Sequence, residues 1–122
     1  MRTFFTVIML CGPMFLSTWL GVAWGHVFPE HSDPQVGATV TVSPTSVRIR
    51  FDGALEPVFS TLRVQDASGK QVDNGDGHVD PSDPTLLEVS LPSLPPGTYR
   101  VIWSVVARDG HRTEGDYTFT IE

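Results

Sequence analysis

Two kinds of hydrophobic pattern divide the chain. Residues 3–24 (TFFTVIMLCGPMFLSTWLGVAW) form one apolar block without a charged side chain, preceded by Arg2 and followed by Gly25. From His26 onward the apolar positions instead alternate with polar ones. Val47, Ile49 and Phe51 alternate with Arg48 and Arg50, which predicts a half-buried strand. Leu62 and Val64 predict the next, stopped by the turn residues Ala67-Ser68-Gly69-Lys70. Residues 73–84 (DNGDGHVDPSDP) read as a polar loop, and a strand pattern resumes from Leu86 to Leu91. After a turn at Pro92 to Gly97, Tyr99, Val101, Trp103 and Val105 alternate along a long strand. Tyr117, Phe119 and Ile121 alternate along the last, with Gly115-Asp116 read as the turn before it. No segment has a helical period. Short strands separated by turns predict an all-β domain, a small Greek-key β-barrel or immunoglobulin-like β-sandwich.

The first block has the charged, apolar and small-residue order of a cleaved secretory signal. Residues 1–25 are therefore expected to be a signal peptide and residues 26–122 the domain; a retained anchor is the alternative, which Pro13 and Ala23-Trp24-Gly25 disfavour. Cleavage after Gly25 makes His26 the first residue. A cut after Ala23 instead begins Trp24-Gly25-His26. The expected product is an exported protein without stable membrane insertion.

Composition then narrows the chemistry. Cys11, Met1, Met9 and Met14 all lie in the leader, so the 97-residue domain has no thiol or thioether ligand and no disulfide. With seven basic and 14 acidic side chains, its charge is −7, which argues against a nucleic-acid surface. Metal chemistry has to come from histidine and carboxylate. An amino-terminal His26 offers a free α-amine, titrating at about 7.7 to 8.0, and its own imidazole Nδ1, which together close a six-membered chelate. Asp109-Gly110-His111 adds a carboxylate and a second imidazole, two apart and on one face if the segment is extended. His26, Asp109 and His111 form a nitrogen- and oxygen-rich set suited to Cu(II). Taken alone, Asp-x-His is more simply a surface turn. His31 reads as an exposed loop histidine, His78 as part of a solvated turn, and Trp103 as a core aromatic.

His26, Ser32-Asp33-Pro34, Val47-Arg48-Ile49-Arg50-Phe51, the block Gly97-Thr98-Tyr99-Arg100-Val101-Ile102-Trp103-Ser104-Val105-Val106, Asp109-Gly110-His111 and Gly115-Asp116-Tyr117-Thr118-Phe119 together resemble the CopC family of periplasmic copper-binding proteins. The resemblance implies a Greek-key barrel that binds copper without catalysis, with His26, Asp109 and His111 as Cu(II) ligands. It also implies an inner-membrane copper transport protein of the CopD type as a partner. Some members carry a methionine-rich Cu(I) loop; here that loop has only His78, which implies a Cu(II)-only member. Some carry a Glu ligand where this chain has Gly53, and Asp52 and Glu56 are the nearby substitutes. Two other classes stay open: a copper-dependent oxidative enzyme using an amino-terminal His chelate, and a metal-free immunoglobulin-like interaction domain. No Gly-x-Ser-x-Gly element frames a hydrolase.

Overall fold

A computed structural model of the chain describes residues 26–122, so the expected signal peptide lies outside the described residues. Among the described residues, eight strands form two four-stranded sheets. In chain order they are β1 (Pro29–Asp33), β2 (Thr39–Val40), β3 (Ser46–Phe51), β4 (Thr61–Gln65), β5 (His78–Val79), β6 (Leu86–Ser90), β7 (Gly97–Val106) and β8 (Arg112–Ile121). One sheet has the order β1-β3-β6-β5 and the other β2-β8-β7-β4; every pairing is antiparallel except β2 with β8. Because β3 and β4, and again β6 and β7, lie in different sheets, the chain crosses repeatedly from one layer to the other. The all-β sandwich expected from the alternation is the observed architecture.

The alternation works because successive side chains on a strand point to opposite faces. Val47, Ile49 and Phe51 are buried while Arg48 and Arg50 face water. Leu62, Val64, Tyr99, Val101, Val105, Phe119 and Ile121 close the core from the other layer. Phe51 meets Trp103 edge-on across the layers at 5.3 Å between ring centroids, and Tyr99 stacks on Phe119 at 5.6 Å. Such side chains each contribute roughly 1.5–3 kcal/mol by leaving water.

The structure corrects three sequence expectations. Gly115-Asp116 is no turn: β8 runs straight through it, and Gly115 lies opposite Trp103 in the β7–β8 ladder. A Cβ at residue 115 would stand 2.4 Å from Trp103 Cζ2, so the glycine is there to let the indole lie against the strand. The turn instead lies at residues 107–111, with Gly110 at φ +91°. Asp109 and His111 therefore belong to that turn and not to an extended segment. Finally, the loop 73–84 contains β5, a short edge strand whose His78 and Val79 pair with Glu88 and Leu87.

That loop is held by its own acids. Asp73 Oδ2 accepts from the Val64 N–H at 2.8 Å, Asp76 accepts from the Ser90 N–H and hydroxyl at 2.8 and 2.6 Å, and Asp83 accepts from Thr85 and from Arg50 at 2.6 Å. These carboxylates are the ties between loop and sheet.

Candidate metal centre

One end of the sandwich gathers three segments: the chain leading into β1, the residues after β3, and the β7–β8 turn. Val27 is buried, and its side chain closes the core at this end. Its carbonyl accepts from Thr113 Oγ1 at 2.8 Å on β8. Phe28 is bound on the opposite side, its N–H donating to Asp52 Oδ1 at 2.9 Å and its carbonyl accepting from the Asp52 N–H at 3.0 Å. Gly53 leaves room for Val27, since a Cβ at 53 would lie 2.8 Å from Val27 Cγ1. The segment from His26 thus spans the two layers.

This arrangement sets the His26 ring beside His111, with centroids 5.5 Å apart and planes inclined by 60°. A cation about 2 Å from one nitrogen of each ring sits roughly 3 Å from each centroid, so one ion can serve two rings up to about 6 Å apart. The observed spacing falls within that reach. Phe28 borders the pair edge-on, 6.2 Å from the His26 ring.

His111 is fixed from its other side by Asp109. The carboxylate takes the His111 backbone N–H at 3.1 Å on Oδ1 and the ring Nδ1 at 2.8 Å on Oδ2. These two bonds, the ring contact foremost, hold the Asp109 carboxyl below the usual carboxylate range. With Nδ1 engaged, the imidazole has Nε2 free, and a carboxylate behind the ring is a common way to orient a metal-binding histidine. The Ala107 N–H donates to the His111 carbonyl at 2.9 Å and the Gly110 N–H to the Ala107 carbonyl at 2.9 Å, which tightens the turn.

The donors meet in pairs, His26 with His111 and His111 with Asp109; among the described residues no three His, Cys, Asp or Glu side chains form a ready cation cluster. Asp109 is turned to the His111 ring, and within the intact chain His26 carries an amide in place of an α-amine.

The other histidines are elsewhere. His78 Nδ1–H donates to the Asp76 carbonyl at 2.6 Å, and Nε2 lies 3.1 Å from Glu88 Oε1. Asp33, Arg48, Glu88 and His78 lie opposite one another across β1, β3, β6 and β5, a row of polar side chains on the outer face. His31 stands in the next row, opposite Arg50. Of the two substitutes for the Glu at position 53, Asp52 has one oxygen committed to Phe28, and the Glu56 N–H donates to the Val106 carbonyl at 2.7 Å. Sequence reading missed Thr113 and the tethering role of Asp52. The only signal was indirect, an apolar residue directly after His26 that needs a place in the core.

Residues 29–122 match the family model for the CopC domain, and the chain belongs to the CopC family. It is 34% identical to protein YobA of Escherichia coli K12 over 100 residues, 81% of each chain. Its fold is similar to the crystal structure of CopC from Methylosinus trichosporium OB3b, with 35% identity and a TM-score of 0.74 over 80% of this chain and 94% of that one. A methionine-rich copper resistance protein of Escherichia coli, PcoC, is 31% identical with a TM-score of 0.68, covering 80% of this chain and 99% of its own.

Proposed function

We propose that this protein binds copper for homeostasis, resistance or trafficking, taking Cu(II) through His26, His111 and Asp109 and acting as a carrier or buffer, not a catalyst. The observation that carries this reading is the approach of the His26 and His111 rings to 5.5 Å in a member of a family whose relatives include a named copper resistance protein. Removal of residues 1–25 as a signal peptide supplies the fourth donor, the His26 α-amine, and delivers the domain to the periplasm. Amine, two imidazoles and a carboxylate are hard-to-borderline donors that suit Cu(II). Because copper here is cargo, the acceptor is a second copper protein, and a membrane copper transporter of the CopD type fits that role.

The test is a competition titration with Cu(II) on protein recovered after export, with its amino terminus determined by intact mass. His26→Ala and His111→Ala weaken binding far more than His31→Ala or His78→Ala. Equal affinity for His111→Ala and wild type, or a product beginning at Trp24, overturns the assignment.

A further inference from the structure

We infer that Thr113 and Asp52 are positioning residues for the copper site: they clamp Val27 and Phe28 between the two sheets and so hold His26 against His111. The inference rests on the reading of His26 and His111 as copper ligands. A chelating residue at a chain end is intrinsically mobile, and an ion that had to immobilise it would bind more weakly by the entropy of that ordering. Here the ordering is done by the fold. Thr113 Oγ1 donates to the carbonyl of the residue next to His26, and Asp52 pairs with Phe28 through both its own backbone N–H and its carboxylate. Val27, 5% exposed, is the plug that these three bonds seat. Thr113 is also two residues beyond His111, so one short stretch of chain carries one imidazole and holds the peptide adjoining the other.

The same geometry separates two roles for Asp52. As a clamp it needs only an oxygen acceptor for the Phe28 N–H, which the isosteric amide of Asn retains. As a ligand it needs its charge. Thr113 makes a comparable distinction: Ser keeps the hydroxyl and Val keeps the shape without it.

The experiment measures Cu(II) affinity by competition and the Cu(II) electron paramagnetic resonance spectrum for exported wild type, T113V, T113S, D52N, D52A, H26A, H111A and the double variant H26A/T113V. Loss of one such hydrogen bond is expected to weaken copper binding by up to about tenfold in T113V and D52A and to broaden the spectrum through a less uniform coordination geometry. T113S and D52N retain wild-type affinity. In the H26A background T113V has no further effect, since the clamp acts only through His26; a general loss of stability would instead add to H26A. Wild-type affinity in T113V together with weak binding in H26A overturns the clamp and leaves the ligand assignment standing. D52N as weak as D52A makes Asp52 a charged ligand and overturns its positioning role. Wild-type binding by both H26A and H111A overturns the ligand reading and the clamp with it. Should T113V fail to fold, the Asp52 pair decides the Asp52 half of the clamp, and T113S below wild-type affinity would overturn the Thr113 half.

Discussion

Asp109 grips His111 twice, through the backbone N–H at 3.1 Å and the ring Nδ1 at 2.8 Å, so the carboxylate fixes both where the histidine starts and which way its imidazole can turn. An Asp at the start of a tight turn is a familiar local device. Here the same side chain also selects the nitrogen left free for a cation.

Asp109→Ala is accordingly expected to lower Cu(II) affinity by about ten- to a hundredfold, the range typical of losing the group that orients a metal-binding histidine. His111→Ala costs more, since it removes an imidazole donor and leaves the Asp109 carboxylate without the ring it orients. Competition titrations on the two variants check the order; an Asp109→Ala variant weaker than His111→Ala contradicts it.

Residues 26–122 contain neither Met nor Cys, so no soft donor retains the ion once it is reduced. Protein loaded with Cu(II), reduced without oxygen and exposed to a moderate Cu(I) chelator is expected to lose its copper. One equivalent of Cu(I) left on the protein would point to an imidazole site involving His31 or His78.

Gly115→Ala is expected to destabilise the domain by about 1–3 kcal/mol, because the new methyl must displace the Trp103 indole or the strand beneath it. Urea denaturation followed by tryptophan fluorescence reads both the loss of stability and the altered surroundings of the indole. An unchanged midpoint would mean that the close packing of Trp103 on residue 115 is absent in solution.

Acid is expected to loosen the ties of the loop after β4. Hydrogen bonds from the Thr85 side chain and backbone, and then from Arg50, bring the Asp83 carboxyl down to about 2 from an ordinary value of 3.8. A folded-state pKa below the unfolded one gives stability that is present above about pH 4 and is lost as pH falls toward 2. Asp66, Asp76 and Asp80 are lowered in the same direction, each first through its own Ser partner. Asp83→Asn is therefore expected to flatten the fall of melting temperature between pH 4 and 2 relative to wild type. Parallel curves for the two proteins would contradict it.

The strands that form the core were legible because their buried faces repeat every second residue: Val47 to Phe51, Tyr99 to Val105 and Tyr117 to Ile121 each present an apolar row. The edge strands β1 and β5 lack that row. β1 reads Pro-Glu-His-Ser-Asp and β5 spans two residues, so both owe their existence to a neighbour's backbone, which pattern reading does not see. Gly115 was misread for a related reason. In one dimension a glycine beside an aspartate signals a turn, while its actual cause, Trp103, sits on the facing strand. His26, Asp109 and His111 could be named from residue chemistry and family resemblance. The holding contacts of Thr113 and Asp52 could not, because neither residue type nor spacing shows which carbonyl or amide lies within reach 86 or 24 positions away.

The clamp at Val27 has a mechanical consequence. Both imidazoles are referenced to the same strand: His111 enters β8 directly, and the peptide adjoining His26 hangs from Thr113 on that strand. Phe28 and Asp52 both belong to the other sheet, where their hydrogen bonds extend the β1–β3 pairing by one step, so the crossing between sheets falls between Phe28 and Val27. With the clamp in place, the bite between the two rings follows the one strand that carries both, much as a caliper keeps its gap when the hand holding it moves.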